Sequence, residues 1–131
     1  MVPARRDEIF DDLIEEAKDL IHRKGKDYAG DADCLENFKE EARDTDLSIF
    51  QVWHVYLNKH LSAIKRAIRR SPFSPQVASE PLKSRLADCI NYLVLFQCML
   101  EEADLIQLPL FKDLPCDDQR NYKNLVDEET I

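Results

Sequence analysis

Residues 79–103 read SEPLKSRLADCINYLVLFQCMLEEA, and no other stretch constrains the fold as tightly. Ser79 is suited to cap a helix, and Glu80 and Pro81 suit its first turn, where a missing amide hydrogen costs nothing. Between Cys89 and Leu100 only Asn91 and Gln97 are clearly polar. A helix so apolar must be covered on most sides, as the central element of a bundle or as a seam between two chains. The spacing predicts that it runs to about Ala103.

Upstream, Ile49, Val52, Trp53, Tyr56, Leu57, His60, Ala63, Ile64 and Ala67 recur at steps of three and four. They predict a second long helix reaching about Arg70, capped by Thr45, Asp46 or Ser48 and broken by Ser71-Pro72-Phe73-Ser74-Pro75. A short helix is predicted from Leu35 to about Arg43. Ile9, Phe10, Leu13, Ile14, Ala17, Leu20 and Ile21 form the stripe of another long helix, from about Asp7 to about Arg23. The only two glycines, Gly25 and Gly30, fall in Lys24–Asp31, which is read as a shaped loop with a left-handed residue at one or both. Beyond Asp104, Pro109 and Pro115 and a polar end suit an extended tail. The expected architecture is all-α: a small bundle of three long helices plus a short helix, with a helical domain over 1–103. The C-terminal tail, 104–131, is expected to pack on that body or to be partly disordered.

A chain of 131 residues fits one domain that buries a core without staples. Its net charge of −8 argues against general nucleic-acid binding, which depends on Lys and Arg neutralising phosphates. Lys59, Lys65, Arg66, Arg69 and Arg70 nevertheless make a local basic patch, better matched to a small anionic ligand. The four cysteines, Cys34, Cys89, Cys98 and Cys116, include no CxxC pair and read as structural thiols. No apolar run is long enough to span a bilayer, and nothing near Met1 resembles a secretory signal, so a cytoplasmic location without membrane attachment is expected.

Chemistry concentrates on two helices. Arg85, Asp88, Asn91 and Tyr92 share one face of the apolar helix. A carboxylate buried there needs a cation, a metal or several donors; the plainer alternative is an internal Arg85–Asp88 pair with Asn91 capping a loop carbonyl. On the second helix Trp53, Tyr56, Lys59 and His60 again keep helical steps. A ring beside an ammonium suits a nucleobase over its phosphate, although Trp53 and Tyr56 also suit a core and His60 a hydrogen-bonded structural role. Lys24-Gly25-Lys26-Asp27-Tyr28 carries cations and flexible points that suit an anion or a plain surface turn. The acids Asp11, Asp12, Glu15, Glu16 and Asp19 fill a polar helix face, where solvation is the ordinary state, with Mg²⁺ ligation as the alternative.

The strings KGKDYAGDADCLENF, QVWHVYLNKHLSAI and SEPLKSRLADCINYLVL together resemble small phage and prophage proteins related to the nucleotide-modification-associated domain. The likeness covers about Lys24 to Glu102. It rests on Lys26-Asp27-Tyr28, Asn37-Phe38, Trp53 with Tyr56, Lys59-His60, Glu80, Arg85, Asp88 and Asn91-Tyr92. It implies a role in phage nucleotide metabolism or DNA-base modification, in a host cell's cytoplasm. A more distant likeness is to the all-α nucleoside triphosphate pyrophosphatases of the MazG and dimeric dUTPase type, which hold Mg²⁺ through ExxE and ExxD motifs. Here Asp88 keeps the last acid, Arg85 stands where its glutamate would be, and Asn58, Lys59 and His60 occupy the region of the first motif. Those changes remove carboxylates and add positive charge, which favours direct cationic recognition of phosphate.

Three readings follow. In the first the chain is a nucleotide phosphohydrolase or related enzyme, with Lys59, His60 and Arg85 on phosphates. Asp88 and Glu80 then hold Mg²⁺ or orient water, with His60 in reach of the reacting groups, and Trp53 or Tyr56 stacks on the base. Lys26, Asp27, Tyr28, Asn37, Asn91 and Tyr92 complete the substrate contacts that the resemblance implies. In the second the same cations sequester a nucleotide without catalysis or metal. In the third the chain is a helical homodimer that docks a protein partner.

Overall fold

The computed structural model describes the backbone of residues 1–28, 33–76 and 81–113, with side chains at 1–25, 33–76 and 81–104. It has four helices, α1 (Pro3–Tyr28), α2 (Glu36–Thr45), α3 (Ile49–Arg70) and α4 (Leu82–Asp113), and no strand among the described residues. The all-α bundle read from the periodicity is the observed fold class. By internal contacts the chain divides into Met1–Met99 and Leu100–Ile131. The first unit carries α1 to α3 and most of the apolar part of α4. The second continues α4 to Asp113.

Helix α1 begins at Pro3, several residues before Asp7, because proline at the first helical position loses no bond there. Val2 closes that first turn by accepting from the backbone N–H groups of Arg5 and Arg6. At its other end α1 does not stop at Gly25: Lys24, Gly25, Lys26, Asp27 and Tyr28 form its last turns rather than a loop. A helical glycine costs only about 1 kcal/mol relative to alanine, and a tertiary ion pair from Lys24 holds this segment. Gly25 has no left-handed backbone; Gly30 lies outside the described residues, as do Ser79 and Glu80.

Asp33 shapes the entry to α2. Its Oδ1 accepts from the Leu35 backbone N–H at 2.9 Å and its Oδ2 from Lys39 Nζ at 2.7 Å. Asp46, with φ 55°, reverses the chain after α2. Ser48 then caps α3 in a reciprocal box: its hydroxyl accepts from Gln51 N at 3.1 Å, while Gln51 Oε1 accepts from Ser48 N at 2.8 Å.

Helix α4 touches the other helices through two separate buried clusters. Ala17 and Leu20 of α1 pack with Ala87, flanked by Leu13 and Ile90. Leu35, Phe38, Val52 and Met99 form the other, with Trp53, Tyr92 and Leu95 against it. The free thiols of Cys89 and Cys98 are half-buried in α4, in keeping with packing roles, whereas Cys34, expected to be structural as well, is exposed; Cys116 lies outside the described residues. Some of the apolar surface remains uncovered: Phe10 on α1, Val55 on α3, and Leu86, Leu93 and Val94 on α4. The far part of α4 also departs from the sequence reading, which ended the helix near Ala103 and placed Pro109 in a tail. The helix-forming residues Leu105, Gln107 and Leu108 carry it onward through Pro109, although a proline inside a helix costs about 3 kcal/mol.

Candidate functional site

The apolar period of α4 forces Asp88 inward, and only 5% of the residue is exposed. Its charge is met from α1: Lys24 Nζ donates to Asp88 Oδ1 at 2.7 Å, from a side chain that stays half-exposed. On the other side His60 of α3 brings Nδ1 to 3.7 Å from Asp88 Oδ2. Arg85, one turn before Asp88, donates through Nη1 to His60 Nδ1 at 3.2 Å. An arginine has only donors, so His60 Nδ1 is the acceptor and the ring carries its hydrogen on Nε2.

That arrangement keeps His60 neutral. Burial pushes its pKa below the ordinary 6.5; Asp88 pulls it upward, and Arg85, Lys24 and Lys59 add to the lowering. Burial, and then the charge of Asp88, raises the neighbouring Cys89 thiol, so it is no ready thiolate. The Tyr92 ring lies 5.1 Å from the His60 ring and edge-on to Phe38 at 6.2 Å. Phe38 in turn meets Tyr56 edge-on at 5.8 Å. Tyr56 keeps part of its surface in solvent.

Among the residues that the sequence pointed to, the structure thus brings Arg85, Asp88 and His60 together, with Tyr92 beside them. Lys59 is exposed on α3, close enough to act electrostatically on His60. Trp53 belongs to the core rather than to a ligand site: its indole N–H donates to the Tyr92 carbonyl at 2.6 Å and its ring lies 4.4 Å from Phe96. Asn91 is likewise spoken for, since its Nδ2 donates to the Ala17 carbonyl of α1 at 2.7 Å, a helix carbonyl rather than the loop carbonyl expected. Asn37 is exposed on α2. Lys26, Asp27 and Tyr28 are placed on α1 by their backbone alone, and Glu80 lies outside the described residues.

Lys24, read from the sequence only as one cation of an anion-suited loop, is the member whose pairing with Asp88 the sequence did not reveal. Its signal was present, a lysine two turns beyond the buried stripe position Ala17, but the loop assignment removed it from any helix face.

Mg²⁺ demands octahedral oxygen coordination, usually one or two carboxylates with water and phosphate. Asp88 offers one carboxylate, and Lys24 already holds one of its oxygens. Among the described residues no group of three or more His, Cys, Asp or Glu side chains converges. Asp88 by itself offers too few donors for a resident metal, and Glu80, its partner in the Mg²⁺ reading, lies outside the described residues. Among the described residues Lys24, Arg85 and Lys59 stand around Asp88 and a neutral histidine, a setting that suits an anion. Compared with protein-family models, curated proteins and solved structures, the chain matches none.

Two measurements test this description. Lys24→Met should lower stability in urea by about 1–2 kcal/mol, less than for a fully buried pair because Lys24 is half-exposed. Lys24→Met/Asp88→Leu should recover most of that loss, and an unchanged midpoint in the single variant would show the pair to be idle. The second concerns pH. A histidine held below its unfolded pKa binds more protons unfolded than folded, so its contribution is present above about pH 6.5. It should be lost as the pH falls through 6.5 towards the depressed folded value. His60→Gln should flatten the melting temperature across that window.

Proposed function

We propose that this chain is a phage-type nucleotide-handling protein that grips the phosphates of a nucleotide with Lys24, Lys59 and Arg85 beside Asp88. The observation that carries the reading is the Lys24–Asp88 pair at 2.7 Å, deep at one end and open at the other. A phosphate arriving from solvent meets the half-exposed ammonium, and a charge-assisted bond to it replaces water rather than a buried partner. Tyr56, partly exposed, is the ring available to a base, since Trp53 is engaged in the core.

Of the readings open to the sequence, non-catalytic binding is the better supported. Cations converge here, with Lys24 on Asp88 Oδ1 and Arg85 on His60 Nδ1, which serves binding without a metal; Asp88 Oδ2 keeps the acceptor capacity that a base or water-orienting group would need. A hydrolase of the MazG type, with Asp88 and Glu80 on Mg²⁺, is the competing proposal. A homodimer is a second, separable reading, supported by Leu86 and Leu93, exposed seven residues apart on one face of α4.

The decisive experiment incubates the protein with deoxynucleoside mono- and triphosphates and cyclic nucleotides, with and without Mg²⁺, following melting temperature and product together. Binding predicts a metal-independent rise of about 10 °C at a hundredfold excess over Kd, with the ligand recovered intact and the rise absent in Lys24→Met. Metal-dependent turnover would replace this reading by the hydrolase, and no response to any nucleotide would remove both. Light scattering should give twice the chain mass, with Leu93→Glu returning a monomer; a monomeric parent removes the dimer.

A further inference from the structure

Helix α3 ends in two adjacent rows of cations, Lys65 with Arg69 and Arg66 with Arg70, each row spaced by four residues. All four side chains are exposed. Six cations elsewhere are matched with acids: Arg5 with Glu8, Arg6 with Asp7, Lys24 with Asp88, Lys39 with Asp33, Arg43 with Glu36 and Lys83 with Asp12, while Lys18, Arg23 and Lys59 stand singly among the described residues. Among the described residues no such pair reaches Lys65, Arg66, Arg69 or Arg70, in a chain of net charge −8.

Local energetics do not account for the cluster. Cations in a last helical turn gain about 0.3–1 kcal/mol from the dipole, which covers Arg69 and Arg70. Lys65 and Arg66 sit a turn earlier, where that gain has faded, and each makes a like-charge pair four residues on that costs about 0.2–0.5 kcal/mol. Past the helix end Ser74 N donates to the Ser71 carbonyl at 3.3 Å, closing a turn with Pro72 and Phe73 at its tip. Phe73 is 101% exposed. Uncompensated cations beside a bare ring are the combination that holds phosphates and stacks a base.

We infer that the end of α3, with Lys65, Arg66, Arg69, Arg70 and the Phe73 turn, is a contact strip for single-stranded nucleic acid. Guanidinium groups, three of the four cations, suit phosphate oxygens bidentately. A single strand is thin enough to touch this strip alone, whereas a duplex or an anionic bilayer presents a wider anionic face to a chain whose net charge is −8. The strip is independent of the nucleotide reading, since none of its residues takes part in the Lys24–Asp88–His60–Arg85 cluster.

Fluorescence anisotropy with labelled dT12 and rU12 tests it. Binding should weaken about 20- to 50-fold between 50 and 200 mM KCl, as expected for three or four phosphates neutralised on a single strand. Arg66→Ala/Arg70→Ala should weaken it at least tenfold and Phe73→Ser about fivefold or more, with helicity by circular dichroism and any mononucleotide response unchanged. A preference between the two oligomers assigns the strip to DNA or RNA. The inference is overturned if neither oligomer binds at 50 mM KCl, or if the variants bind as the parent does. It is likewise overturned if phosphatidylserine vesicles bind more tightly than either oligomer.

Discussion

A carboxylate on an apolar helix is the constraint around which this bundle is organised. Left unpaired in a low-dielectric interior, Asp88 would cost several kcal/mol. The arrangement offsets that cost with one ammonium from α1 and surrounds it with Arg85 and a neutral His60. The last turns of α1 therefore have a tertiary reason to remain helical through a glycine, and α3 has a reason to present its histidine inward. On the proposed reading stability and ligand chemistry meet in the same few atoms, so a site for phosphate built here draws on a cation that the fold also uses.

Helix α4 mediates between two kinds of packing. Against α1 it offers small and aliphatic residues, Ala87 and Ile90. Against α2 and α3 it offers rings, with Tyr92 edge-on to Phe38 and Phe96 under Trp53 and beside Phe50. Aromatic edges and faces fix relative orientation more tightly than aliphatic contact does. The α2–α3 side consequently holds the histidine's ring in place, while the α1 side relies on polar ties for its positioning.

The fold class was legible because periodicity reports burial directly, and three long stripes with one short one leave little choice of architecture. Asp88 stood out for the same reason: an acid inside an apolar period demands an explanation. The rest was hidden for identifiable reasons. Gly25 carries a strong local signal to stop, and only a contact spanning 64 residues in sequence, Lys24 to Asp88, outweighs it. Pro109 and the acids before it gave the same false ending to α4. Trp53 and Asn91 were visible as residues able to bind a ligand, but whether they do depends on which carbonyls lie opposite. Those proved to be Tyr92 and Ala17, neighbours that no local spacing reveals.

The amide of Asn91 has a consequence for how α1 can seat. Two greasy cylinders offer near-equivalent resting places one turn up or down, because aliphatic contact is indifferent to such sliding. A directional bond to the peptide oxygen of Ala17 removes that indifference. It acts as a detent, giving the first helix a single axial stop and delivering the ammonium, two turns farther along, opposite its carboxylate.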